Sequence, residues 1–280
     1  MLRNVLVRLE DSPETEFAVG ASLAFAKGYG STVTGLYVRH VPPMTVMPDV
    51  IGMPMGAGSN MQLQMAVDLE FAAAESELQA QALSAFEGAA RDSSVSFRCD
   101  VRAGNSANAF AERAGRADLV VLPRGEADRG RIGCDVEALV RAVRHPFLVA
   151  SEAIEAISRI GVAYDGSEGS VQALALAADI VHHWKGDRPE LLLIEVLPPD
   201  DPPRSVLAAA REYLDLYGLP HRTVTVRGVA GEEIPAIAVR EEVDLLCMGA
   251  YGHWAVREYL LGSTTQAVIE RRRKPILLCH

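Results

Sequence analysis

No apolar run in this 280-residue chain approaches the ~20 consecutive residues that a membrane-crossing helix requires, so the sequence argues against a membrane protein. A secretory h-region is also missing, because Arg3, Arg8 and Glu10 interrupt the first residues, and the expected compartment is cytoplasmic. Cysteine is scarce. Cys99, Cys134, Cys247 and Cys279 are widely spaced without a C-x2-C pair, which excludes a zinc or disulfide framework and predicts buried free thiols. Basic charge is short as well: Lys and Arg number 27 against 37 Asp and Glu, a net charge of −10. A broad nucleic-acid or anionic-membrane surface needs the opposite sign, so no nucleic acid is expected as partner. An anionic ligand would have to be held by local amides or a few Arg side chains.

The chain also lacks a G-x4-G-K-[ST] loop, a nucleophile elbow and a metal-ligand cluster. The common NTPase, hydrolase and metalloenzyme mechanisms are then without their parts, and no catalytic or metal-binding residue is assigned. The nearest approach to metal ligands is in the pairs His182-His183 and Cys279-His280. His182 and His183 are helical neighbours and should diverge into solvent.

What is abundant is apolar sequence, 49% of the chain, ample for two cores in a length of about two domains. The segments fall into two copies of one plan. Val5-Leu6-Val7 and Ile160-Gly161-Val162-Ala163 each read as a buried strand followed by an acidic turn and a helical pattern. Further matches keep order: Gly104 with Gly231, Ala117-Asp118-Leu119-Val120 with Val243-Asp244-Leu245-Leu246, Gly133 with Gly262, and His145-Pro146-Phe147-Leu148 with Lys274-Pro275-Ile276-Leu277. Strands are expected near 159–164, 190–196, 222–227, 244–248 and 275–279, and helices near 168–183, 204–217, 232–241 and 263–273. Alternation of this kind makes an α/β fold, here two doubly wound five-stranded parallel-sheet domains in tandem, over 1–152 and 157–280. Ligands of such sheets sit at the carboxyl ends of the strands, near a topological switch.

The first copy carries an insertion. Pro42 to Asn60 is rich in Pro, Gly and Met and reads as an adaptable apolar loop, followed by one long helix from Met61 to Arg91.

The strongest chemical signal follows the apolar run Leu245 to Met248: Gly249-Ala-Tyr-Gly252, nine residues, then Gly262-Ser263-Thr264-Thr265 opening an apolar periodic segment. Strand, glycine turn and helix start in that order let backbone N–H groups face an anion, with the positive end of the helix dipole behind them. Ser263 is placed as the N-cap. The same residues would also serve a plain turn and a capped helix, since capping and phosphate binding use the same amides. Asp165-Gly166-Ser167 likewise reads either as a turn or as a carboxylate at the sheet edge.

With Val162-Ala163-Tyr164-Asp165-Gly166-Ser167 after its first strand and G-x2-G-x9-G-[ST] after its fourth, the second half resembles the universal stress protein domain of the nucleotide-binding type, and the chain resembles a tandem member. The resemblance implies an ATP site, or one for ADP or AMP, with or without Mg, formed by Ala163, Asp165, Val196, Met248, Gly249, Gly252, Gly262, Ser263, Thr264 and Thr265. It implies a stress-response or signalling role, with slow ATPase or autophosphorylating activity and a nucleotide-free interaction scaffold as the alternatives. It further implies that the final strands, 147–150 and 276–279, pair across the two domains as an intramolecular pseudo-dimer, with a homodimer and a protein partner still open.

The first half departs from the motif. Glu10-Asp11 stands for Asp-Gly, Pro123 for the first glycine, Glu126 for the second and Cys134 for the hydroxyl. Proline lacks an N–H and Glu126 would set a carboxylate beside a phosphate, so this half is expected to be a scaffold with no nucleotide. Arg124, Arg129 and Arg131 are candidates for holding some other anion.

Overall fold

The computed structural model describes residues 2–10, 12–40, 57–104, 106–124, 145–150, 152–154, 157–199, 205–250, 262–272 and 274–280. The first half runs β1 (Asn4–Leu9), α1 (Glu14–Tyr29), β2 (Thr32–His40), α2 (Ala57–Asp92), β3 (Phe97–Gly104), α3 (Ser106–Ala114), β4 (Leu119–Pro123) and β5 (Phe147–Ala150). The second runs β6 (Arg159–Ala163), α4 (Glu168–His183), β7 (Glu190–Leu197), α5 (Leu207–Leu216), β8 (His221–Arg227), α6 (Ala230–Arg240), β9 (Leu245–Gly249), α7 (Ser263–Arg271) and β10 (Ile276–Cys279).

Each half is a parallel sheet of order 3-2-1-4-5 in its own strands, and the two merge into one ten-stranded sheet, β3-β2-β1-β4-β5-β10-β9-β6-β7-β8. The seam is the single antiparallel pairing, Ile276 with Val149, Leu277 with Leu148 and Leu278 with Phe147. The expected pairing of the final strands is therefore present within the chain.

Strands covered on both faces alternate their side chains between two cores. Val5, Val7, Leu148, Val162, Cys247 and Leu277 face one layer with α1, α2, α4 and α5. Leu6, Val120, Phe147, Leu246 and Leu278 face the other, with α3, α6 and α7. Both layers run through the seam. Over the first, α1 meets α4: Tyr29 Oη donates to Asp179 Oδ2 at 3.1 Å and stacks on His183, while Phe25 meets Trp184 edge-on. Gly28 is required there, because a Cβ would lie 2.9 Å from the Trp184 ring.

The repeat extends to side-chain bonds. Asp118 Oδ2 accepts the amides of Arg3 (2.7 Å) and Asn4 (2.9 Å), and Asp244 Oδ2 accepts those of Ser158 (2.9 Å) and Arg159 (3.0 Å). One carboxylate in each half thus ties the start of the fourth strand to the start of the first.

Several sequence expectations are corrected. α2 begins at Ala57, inside the segment read as loop, while 42–56 lies outside the described residues. α7 ends at Arg271, before 273, because Arg272 takes an extended ψ of 133°. Cys247 and Cys279 are buried thiols, but Cys99 is exposed on the edge strand β3 and donates to Glu87 Oε1; Cys134 lies outside the described residues. His182 and His183 do not diverge: their rings lie 4.9 Å apart, and His183 is held against Asp179 at the α1–α4 contact.

Two outcomes test this architecture. Leu277→Ala empties a fully buried position beside the seam and should lower stability by about 2–5 kcal/mol in one cooperative denaturant transition; two separated transitions would contradict a shared sheet. Burial pushes the Asp244 carboxyl up, but bonds from Lys274, Ser158 and Arg159 outweigh it and hold it below the usual range. Its stabilisation is present above the unfolded value of about 4 and is lost as pH falls through the lower folded value. As pH falls below about 4, wild type should lose more stability than Asp244→Asn in urea titrations, and equal losses would remove this carboxylate from acid unfolding.

Candidate functional site

In the second half the chain builds β6, β7 and β8 outward in one direction and then returns to place β9 and β10 on the other side of β6. The carboxyl ends of β6 and β9 are therefore the switch point, where the following loops part in opposite directions and leave a crevice. A crevice of about 530 Å³, open to solvent, lies there. Ala163, Asp165, Val196, Met248, Gly249, Thr264 and Thr265 line it, together with Tyr164, Ser170 and Ile234. Gly262 and Ser263 stand at the start of α7 but do not line it, and Gly252 lies outside the described residues, as do His253 and Arg257.

Each wall has a local cause. The turn Asp165-Gly166-Ser167, exposed at its first two residues, forms because Asp165 Oδ1 accepts from the amide (2.9 Å) and hydroxyl (2.5 Å) of Ser167. Gly166 takes φ +79°, which glycine adopts without strain. Ser167 then caps α4, its hydroxyl oxygen accepting the amide of Ser170 at 3.3 Å. Asp165 thus belongs to the turn as well as to the crevice, and both readings of the motif hold at once. Burial, and the Asp165 carboxylate beside it, raise the Tyr164 phenol above its ordinary value.

Opposite this turn, Gly249 ends β9 against the start of α4, and a Cβ there would lie 3.1 Å from the Gly169 carbonyl carbon. Thr265 is buried, and its hydroxyl donates to Gly249 O (3.1 Å) and Ala250 O (3.2 Å). It pins the helix to the strand end, where the sequence reading has it donating to a phosphate. The N-cap is Gly262, and Ser263 is the first helical residue, exposed. Neither supplies a side-chain cap, so the opening amides of α7 keep their capacity for an external acceptor. Gly231 brings α6 onto α7 beside them: its Cβ would meet Ala267 Cβ at 2.8 Å.

Sequence reasoning missed Glu195. It is 2% exposed on β7 and accepts from the Val206 amide (2.7 Å), Ser205 Oγ (3.0 Å) and Thr225 Oγ1 (3.1 Å). These bonds satisfy the buried carboxylate and tie the approach to α5 onto the sheet beside Ile194 and Val196. A lone acid inside the run Leu191 to Val196 was the available signal.

The first half has no matching arrangement among the described residues. Glu10 pairs with Arg8, and the Arg124 guanidinium donates to Arg272 O and Glu270 O of the second half. Arg129, Arg131, Glu126 and Cys134 lie outside the described residues. Among the described residues no three His, Cys, Asp or Glu side chains could together hold a metal ion, and no helix is long and apolar enough to cross a membrane.

Fold and crevice together define a tandem doubly wound α/β protein with a switch-point cleft in its second half. Residues 156–280 match the Universal stress protein family. Over 293 aligned residues, 99% of this chain and 99% of the relative, the chain is 24% identical to a universal stress protein of Synechocystis sp.. It is 38% identical over 68 residues, 24% of this chain and 42% of the relative, to a universal stress protein of Methanocaldococcus jannaschii. The crystal structure of a universal stress protein from Archaeoglobus fulgidus superposes with a TM-score of 0.75 at 18% identity, covering 99% of this chain and 97% of that one. The second half is thus a universal stress protein domain, and the whole chain has the tandem form of that fold.

Gly249→Ala tests the close approach that shapes the crevice. The added methyl should force α4 away from β9 at a cost of about 1–3 kcal/mol, read as a lowered thermal midpoint; an unchanged midpoint would show that α4 yields freely.

Proposed function

We propose that the chain binds one adenine nucleotide, ATP or its di- or monophosphate, in the crevice of a second domain spanning 157–280, and serves stress-response signalling through that bound state. A first domain, 1–152, is the scaffold or regulatory surface. The observation that carries this reading is the meeting, in one crevice at the switch point, of an apolar wall with an uncapped helix start. Ala163, Ile194, Val196 and Met248 offer apolar side chains suited to a base. The start of α7, with Thr264 on the crevice wall, offers amides and the positive end of a dipole suited to phosphates. Asp165 at the mouth has the chemistry to accept from ribose or adenine donors.

Differential affinity is what would make such a site a signal, since a nucleotide that binds two states equally shifts neither. The test is the identity of the small molecule released when freshly purified protein is denatured, read by mass spectrometry, with calorimetry of ATP, ADP and AMP with and without Mg²⁺. One nucleotide per chain is expected; an empty protein with no affinity for any of the three would overturn the reading. Gly262→Asp sharpens it, because a carboxylate at the N-cap accepts the opening amides of α7 itself. ATP affinity should fall by about 100-fold or more, the several kcal/mol that juxtaposed like charges cost, while thermal stability holds or rises.

A further inference from the structure

The amide of Arg124 donates to Ala150 O at 3.1 Å, as that of Ala250 donates to Cys279 O at 2.7 Å. The two residues therefore hold equivalent places, one step beyond β4 and one step beyond β9. In the second half that place is a fully buried alanine at the root of the glycine loop. In the first half it is an arginine that reaches out of its own half.

Its guanidinium donates from Nη1 to Arg272 O at 3.2 Å and from Nη2 to Glu270 O at 3.0 Å. These carbonyls are the C-terminal end of α7, where the last turn has acceptors without intrahelical donors and the dipole is negative. A planar fork with a fixed charge suits that end better than a flexible ammonium, because two donors engage two carbonyls at once. The opposite end of the same nine-residue helix, about 13 Å away, is the uncapped start beside the crevice. α7 is also held to its own half, by Thr265 at its beginning and by Arg271 Nη1 on Gly231 O at its end. Arg124 adds a hold from the other half.

We infer that Arg124 is a positioning residue for the nucleotide site: where the second half has the buried Ala250, the first half carries a guanidinium strut that fixes α7 from behind. The inference rests on the reading in the preceding subsection and adds a coupling to it, so that affinity for nucleotide phosphates depends on the first half. Coupling of this kind is reciprocal, and a nucleotide at the start of α7 tightens the strut at its end.

Calorimetry of wild type, Arg124→Ala, Arg124→Gln and Arg124→Lys with ATP and with adenosine, beside hydrogen exchange of 262–272 without nucleotide, tests this. With the fork removed, exchange over 266–272 should rise and ATP affinity should drop about tenfold, within the 5–150-fold span of coupled sites. Adenosine affinity should stay unchanged, since it does not use the start of α7, and Arg124→Lys should recover part of the loss. Should Arg124→Ala fail to fold, Arg124→Gln carries the same comparison with a side chain of similar reach. Equal weakening of ATP and adenosine would reduce Arg124 to a general structural contact and overturn the inference. So would a wild type and variant that bind ATP equally well with unchanged exchange, which leaves the nucleotide reading standing. A wild type that binds neither ligand overturns the nucleotide reading itself, and the two failures are thereby told apart.

Discussion

The antiparallel pairing of β5 with β10 is the contact on which the rest of the molecule depends. Each five-stranded unit ends in a short apolar strand, Phe147–Ala150 or Ile276–Cys279, that would present open backbone donors and acceptors if left at an edge. Joining them buries both edges at once and makes two sheets one. Because side chains alternate faces along a strand, the join also lines up both cores: Leu148 and Leu277 continue one layer, Phe147 and Leu278 the other. The helical contacts between halves, α1 on α4 through Tyr29, Asp179 and His183, and Arg124 on α7, are made possible by that alignment.

Duplication leaves a physical record at places that carry load in both halves and diverges at the ends of the fourth strands. Asp118 and Asp244 make the same pair of bonds to strand-start amides, and Thr15 and Ser170 each accept the amide of the acidic residue that follows the first strand, Glu10 or Asp165. A carboxylate that satisfies two amides cannot be replaced without orphaning them. At the ends of β4 and β9 the constraint lapses, and there Pro123-Arg124 stands against Gly249-Ala250. The glycine of that pair answers to packing, since a Cβ there would crowd the start of α4 at 3.1 Å.

Much of this is legible in the residues. Strand periods, helix spans and the order of elements follow from apolar patterning, and Asp165, Val196, Met248, Gly249, Thr264 and Thr265 do meet in one crevice because each lies at the carboxyl end of a strand or at the helix beside it. What patterning does not reveal is which polar atom meets which. Thr265 lies on a crevice wall, yet its hydroxyl proton goes to the strand end; Ser263 has the composition of a cap, yet Gly262 holds the N-cap position. Glu195 reads as an intrusion in an apolar strand until Ser205, Val206 and Thr225 converge on it from two other segments. His182 and His183 diverge on a helical wheel but not beside Tyr29, which belongs to the other half.

The sequence by itself determined the class of fold, its duplication, and the inequality of the two halves, because periodicity, glycine placement and the lack of a proline N–H are properties of residues in local order. Only the tertiary structure decided the register in which the final strands pair and that Arg124 grips the helix that borders the crevice. Those outcomes depend on atoms more than a hundred residues apart, and a pairwise contact at that separation is set by packing, which local pattern does not encode.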